Sequence, residues 1–176
     1  MLLPALVAGH TTASTVPAVT PRPAEWKSYD VLLEFRLLPR TYSCDELWYK
    51  VRDVLLKLGA RAYMTITPYD CGSTRGGEAR SPSVEVKFQL PEPLQGASAR
   101  YAQTSVSQHA VQLTPGSPSS LKSDDCEFMR QLQETLLAAL PLRIATAAFS
   151  CTRGGSSFAL SVDARLPVRA SPARRA

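Results

Sequence analysis

The 176-residue chain contains no asparagine and only two isoleucines and two histidines. It has no run of 18 apolar residues, the length that a membrane-spanning helix requires. It has no CxxC or HxxxH pair, the close spacing that zinc sites usually use. The phosphate-loop pattern GxxxxGK[ST] and the GxSxG elbow of α/β-hydrolases are also missing. The sequence therefore predicts no membrane span and no metal or cofactor, and it contains no motif that identifies a reaction.

Composition predicts a folded protein with a weak positive charge. Hydrophobic residues make up 44% of the chain and charged residues 20%, which is typical of a globular core and not of disorder. The net charge of +5 comes from 15 arginines and 5 lysines against 15 acidic residues. An excess of arginine over lysine without asparagine indicates a high-GC genome, so the basic pI does not predict a nucleic-acid partner.

Both ends of the chain differ in composition from its middle. Residues 1–24 begin with MLLPALVAG and continue into a Pro/Thr-rich arm, which resembles the end of a secretory leader. A basic segment before the apolar run is missing, so either the start lies inside a longer leader or the resemblance is accidental. Residues 169–176 are basic and unpatterned and predict a flexible tail.

Self-comparison reveals two segments with the same ordered landmarks. Each segment has a Cys before an amphipathic stretch, then Leu, Arg, an aromatic residue two positions before a second Cys, the sequence TRGG and a final Leu-Pro. The landmarks are Cys44, Leu58, Arg61, Tyr69, Cys71, 74–77 and 90–91 in the first copy, and Cys126, Leu140, Arg143, Phe149, Cys151, 152–155 and 166–167 in the second. We therefore predict a tandem duplication, with repeats at 25–91 and 105–168 and a linker at 92–104.

Each repeat has the pattern of a β-α-β-β unit. Alternating apolar residues predict strands at 29–38, 62–69 and 83–90 in the first copy, and at 105–113, 144–150 and 158–166 in the second. Ser43 and Glu46 form a capping-box signature, and Gly59 gives a stop, so a helix is predicted at 44–58. Asp124 or Asp125 can cap the second helix, whose apolar stripe includes Met129, Leu132, Leu136 and Leu140.

These elements predict an α+β fold. The simplest packing of two one-sided helices places both on one face of a mixed, mainly antiparallel sheet of about six strands. The opposite face of the sheet is then left in contact with water.

The unit also predicts two disulfides. Its helix begins at the level where its second strand ends, which brings Cys44 to Cys71 and Cys126 to Cys151. Disulfides of this kind agree with a periplasmic or secreted location. A zinc site and a reactive thiol are the alternative interpretations of the same cysteines.

No set of residues forms a recognisable catalytic group. The two TRGG segments could expose backbone N–H groups to a phosphate, but neither opens a helix, and a tight turn is the simpler interpretation. His109 has Ser105, Ser107 and Gln112 nearby, yet no acidic partner can be assigned. A surface histidine is the preferred interpretation, and no catalytic residue is predicted.

Three apolar side chains are candidates for a partner surface. Tyr49 and Leu56 project away from the apolar stripe of the first helix, and Trp26 precedes the first predicted strand. Burial under the Pro-rich arm or the linker is the alternative. The preferred hypothesis is a non-catalytic, exported protein-binding or structural module of a bacterial cell envelope. The second is a small-ligand-binding or hydrolytic protein with a cleft between the two repeats.

Overall fold

A computed structural model describes residues 20–71, 81–94, 100, 102–152 and 155–168. Residues 1–19 of the predicted leader and arm, the basic tail at 169–176, the first TRGG segment at 74–77, residues 153–154 of the second and part of the linker lie outside these residues.

Six strands form one sheet in the order β2-β3-β1-β4-β6-β5. The strands are β1 (Arg22–Glu34), β2 (Thr65–Tyr69), β3 (Ser83–Pro93), β4 (Thr104–Leu113), β5 (Arg143–Thr152) and β6 (Gly155–Pro167). All of the described strand pairs are antiparallel. The prediction of a mixed sheet is wrong because the third strand of each unit lies between the two strands that the helix connects, so those parallel strands are not neighbours.

Two helices pack against this sheet. The first, α1 (Cys44–Lys57), begins at Ser43, whose Oγ accepts a hydrogen bond from the Glu46 N–H at 3.1 Å. The second, α2 (Cys126–Leu132), follows a 3₁₀ turn at Ser123–Asp125 and continues into a π-helical turn at Gln133–Leu137. The predicted apolar stripe of the second helix is buried along both parts. None of the described helices combines the length and apolar character needed to cross a membrane.

One hydrophobic core runs through both halves of the chain. In β3 and β6 the buried side chains alternate with more exposed ones, as the period of two predicts. Phe128 of α2 stacks on Phe35, which follows β1, with ring centroids 5.0 Å apart, and lies 5.6 Å from the ring of Tyr42. Aromatic contacts between the second helix and the end of the first strand therefore join the two halves.

The two halves of the sheet meet at a short seam. Strands β1 and β4 pair only over residues 22–24 and 104–106, whereas β1 pairs with β3 from 24 to 34. Strand β1 starts earlier than predicted because residues 24–28 pair with 89–93 of β3, despite the prolines there. It ends earlier because the Gln131 side chain binds the backbone N–H and carbonyl of Arg36 in place of a neighbouring strand.

Leu37 lies in the segment 29–38 that the alternation predicts as a strand, and this prediction is wrong for Leu37 because the strand ends at Glu34. Its backbone has φ +48° and its side chain is 81% exposed. The strand has already ended, so the alternation of faces no longer applies at this position.

Candidate functional site

One disulfide at the start of each helix joins that helix to the end of the strand that follows it. Cys44 is bonded to Cys71 with their Cα atoms 5.2 Å apart, and Cys126 to Cys151 at 5.4 Å. These are the pairs that the unit topology predicts, and no cysteine of the chain is left free. The described residues also hold no group of three or more His, Cys, Asp or Glu side chains that could bind a metal. The bridges are consistent with an oxidising, exported location.

The most concentrated polar chemistry is a buried charge cluster between the halves, formed by Arg40, Tyr42, Glu46, Lys50 and Asp125. The Asp125 carboxylate is fully buried and accepts four hydrogen bonds. Oδ1 accepts from Arg40 Nη2 at 2.7 Å and from the Tyr42 hydroxyl at 2.9 Å. Oδ2 accepts from Lys50 Nζ at 2.6 Å and from the Lys122 backbone N–H at 2.7 Å. The Asp125 side chain therefore closes the 3₁₀ turn before α2, where the sequence predicted a cap on α2 itself, and binds three side chains of the first half.

Glu46 completes the cluster from the first turn of α1. Its Oε1 accepts from Arg40 Nη2 at 2.6 Å and lies 3.3 Å from Lys50 Nζ, and its Oε2 accepts from Arg40 Nη1 at 3.0 Å. Lys50 also donates to the carbonyl oxygen of Ser120 at 2.6 Å. The Arg40 guanidinium lies 3.9 Å from the centre of the Tyr42 ring, which adds a cation–π contact.

Electrostatics keeps both carboxylates of the cluster ionised. Burial alone would raise the pKa of Asp125, but hydrogen bonds from Lys50, the Lys122 N–H and Arg40 outweigh it and hold the pKa below its ordinary value. Burial likewise raises the pKa of Glu46, and the bonds from Arg40 and Lys50 reverse the direction. Burial, followed by the nearby charge of Asp125, raises the pKa of Tyr42. Because Lys50, Asp125 and Tyr42 are buried and the charged groups of the cluster are paired with one another, we interpret it as structural.

The sequence contained one signal for this cluster that the helical pattern obscured. Lys50 lies three residues after Leu47 and four before Val54 on the same helical face, so a charged group projects into the apolar stripe. A lysine in that position requires a buried anion, since an unpaired charge in a core is costly. The identity of the anion was not readable from the sequence, because Asp125 lies 75 residues further on.

The predicted partner residues lie on separate elements. Tyr49 is exposed on α1, edge-on to Trp48 with ring centroids 4.9 Å apart, and Leu56 is half-buried on the same helix. Trp26 is half-buried in β1, where the Arg61 guanidinium lies 4.7 Å from the centre of its ring. A role for these three residues in partner binding stays a prediction.

A different set of exposed apolar side chains lies near one end of the sheet, and we call it the open-face patch: Leu32 and Tyr69 on the sheet face opposite the helices, and Leu37 just after β1. Leu32 is 55% and Tyr69 45% exposed. Leu32 lies opposite Glu85 of β3, and the Tyr69 hydroxyl donates to Glu85 Oε2 at 3.0 Å. The backbone N–H of Leu37 bonds to Ser81, close to the start of β3. The sequence signal was Leu32, an apolar residue on the polar face of β1.

His109 is exposed in β4, and its Nε2 lies 2.6 Å from the Ser107 hydroxyl. Among the described residues no carboxylate pairs with this ring. A hydrolase would need an acid to orient the histidine and donors for an oxyanion. The Ser107–His109 contact alone does not supply them.

Comparisons of the chain with protein-family profiles, with curated proteins and with solved structures found no significant match. The function of the protein is therefore inferred from its own residues.

Proposed function

We propose that the protein is a non-catalytic, exported protein-binding module of a bacterial cell envelope, and that it contacts its partner through the open-face patch. The observation that carries this proposal is the exposure of Leu32 and Tyr69 on the sheet face opposite the helices, with the exposed Leu37 just beyond the end of β1. Large exposed apolar side chains with a polar rim are typical of protein interaction sites.

The surroundings of the patch supply that rim. Lys87 Nζ lies 2.8 Å from Glu85 Oε1 and 3.6 Å from Asp30 Oδ2. These charged side chains lie on the same sheet face as Leu32, because they alternate with the buried residues of β1 and β3. Charges at a rim favour correct encounter of partners more than they add affinity.

The scaffold beneath the patch is suited to rigid presentation of a surface. Two disulfides and the buried charge cluster restrain both helices against the sheet. A surface that is ordered before binding loses less conformational entropy in the complex. The bridges also support the export that the proposal includes.

The proposal retains the tandem duplication as the origin of the scaffold. The first half pairs its strands in the order β2-β3-β1, and the second half in the order β5-β6-β4. The same chain order of elements therefore gives the same pairing in each half. This correspondence supports descent from one β-α-β-β unit, together with the landmarks shared by the two sequences.

Site-specific photo-crosslinking tests the interaction surface. p-Benzoyl-phenylalanine is placed at Leu32 or at Leu37 and, as a control, at Ala110, an exposed position on the second half of the sheet. In cells of the native source we expect one shared adduct band from positions 32 and 37 and none from position 110. Equal labelling at all three positions, or no adduct at 32 and 37, would contradict the proposal.

A further inference from the structure

A cavity of about 290 Å³ lies at the seam between the two halves of the sheet. Its lining is formed by Thr20, Arg22, Pro93, Val106, Gln108 and Arg165. A second cavity, of about 340 Å³, shares Arg22, Pro93 and Arg165 with it. The two arginines therefore line both cavities at the point where the halves meet.

Strand register explains why these side chains converge. Arg22 of β1 lies directly opposite Val106 of β4, and Gln108 of β4 lies directly opposite Arg165 of β6. Residues directly opposite share a face of the sheet, and so do Val106 and Gln108, which are two positions apart in one strand. The two arginines thus flank β4 from both sides on the same face.

Neither arginine has an acidic partner among the described residues. No carboxylate there lies within 4.0 Å of Arg22 or Arg165, whereas Arg40 and Arg130 are each bound by two or more carboxylates. Glu92, the acidic residue that lines the second cavity, accepts hydrogen bonds from Lys27 at 3.2 Å and from the Tyr29 hydroxyl. Two guanidinium groups at the seam are therefore available to an external anion.

We propose that the seam cavity binds a small dianionic oxyanion, a phosphate or a dicarboxylate, between Arg22 and Arg165. Planar guanidinium groups hold such oxyanions through paired, charge-assisted hydrogen bonds. The Gln108 amide and the Thr20 hydroxyl are further polar groups in the lining. The volume falls near the lower end of the range for small-molecule sites, about 300–1,000 Å³, and fits a small ligand.

This inference is independent of protein binding by the open-face patch. It assigns a class of ligand to the cleft between the two halves, since the cavity lies where β1 and β4 meet. The binding energy comes from both halves, with Arg22 from the first and Gln108 and Arg165 from the second.

Isothermal titration calorimetry of the full chain tests it. Inorganic phosphate and succinate are titrated separately at constant ionic strength, so that the affinities separate the two oxyanion sources. We expect saturable binding of at least one of them, weakened about tenfold or more by Arg22→Gln and by Arg165→Gln. Arg143→Gln is the matched control, because it removes the same charge from an exposed arginine of β5.

Three outcomes would overturn the proposal: no saturable binding of either anion, unchanged affinity in both seam variants, or an equal loss in Arg143→Gln. A second measurement on the wild-type protein does not depend on the variants. In a phosphate or succinate titration followed by NMR, the backbone amides of Val106, Gln108 and Arg165 should shift with one common dissociation constant. Shifts confined to other residues would also reject the site.

Discussion

Replacing Asp125 by asparagine is the sharpest test of how the two halves are held together. The wild-type carboxylate accepts from four donors, namely Arg40, Tyr42, Lys50 and the Lys122 backbone. Asparagine has nearly the same shape but presents only one acceptor oxygen, and its NH₂ group is itself a donor. About half of the four hydrogen bonds would therefore be lost, because their donors would face the NH₂ group of the asparagine.

The expected cost follows from the burial of the charge left behind. Lys50 is only 2% exposed and would keep Glu46, at 3.3 Å, and the Ser120 carbonyl as partners. Removing one partner of a buried ion pair typically costs about 3–5 kcal/mol, because the other charge stays desolvated. Domains of this kind have unfolding free energies of about 5–15 kcal/mol. We expect Asp125→Asn to lower the free energy of unfolding by about 3–5 kcal/mol.

Urea unfolding of the oxidised protein at pH 7, followed by tryptophan fluorescence, measures this difference. Asp124→Asn is the control, because Asp124 is 56% exposed and lies near the same arginine, with its Oδ2 3.2 Å from Arg40 Nε. Solvent screening limits such a pair to about 1 kcal/mol or less. An Asp125→Asn protein no less stable than the Asp124→Asn protein would refute a stabilising role for the cluster.

The same variant should change the response to acid. The folded-state pKa values of Asp125 and Glu46 are both lowered, so their contribution to stability is fully present above the ordinary carboxyl values, about 4. That contribution is lost as the pH falls through the folded-state values. The wild-type unfolding free energy should fall steeply below about pH 4, and the Asp125→Asn curve should fall less. Parallel curves for the two proteins would contradict the proposed pairing.

Two further changes test the backbone and the bridges. Gly59→Ala should destabilise the protein by about 1–3 kcal/mol, because φ is +94° and the new Cβ would lie 2.7 Å from a carbonyl oxygen of β6. Gly116→Ala should lower the free energy of unfolding less, because its φ is +80° but no atom lies within 4 Å of the new Cβ. Equal urea midpoints for the two variants would show that the close approach at Gly59 is unimportant. Replacing Cys126 and Cys151 together by serine should cost about 3–4 kcal/mol in the chain-entropy model; a loss below about 1 kcal/mol would show that the bridge does not restrain the unfolded chain.

Local features of the fold could be predicted from the sequence because local forces produce them. The alternation in 83–90 marks a half-buried strand, and the Ser43 cap marks the start of a helix. The cysteine pairs followed from the connectivity of one unit. Each prediction used residues within about 30 positions of one another, where the period of the pattern directly reflects the geometry of the element.

Features that depend on neighbours in space could not be predicted in the same way. Periodicity indicates that a segment is a strand, but it does not say which strand lies beside it, so the fully antiparallel order was missed. The early start of β1 depends on pairing with residues more than 60 positions away. The π-helical turn at Gln133–Leu137 leaves the apolar stripe intact, so no signal of it remains in the pattern.

The charge cluster also favours pairing of a first half with a second half over pairing of two identical halves. With Cys44 placed on Cys126, Ser43 corresponds to Asp125, and Lys50 corresponds to the buried Leu132. Lys50 therefore reaches the fully buried Asp125 carboxylate only when it faces the second half, and within its own half its carboxylate partner is the half-buried Glu46. Pairing two first halves would place a serine where Asp125 stands and leave each Lys50 with Glu46 of its own helix. If the halves arose by the proposed duplication, this difference between them favours pairing of a first half with a second half. The same buried residues then contribute both to stability and to the choice of partner half.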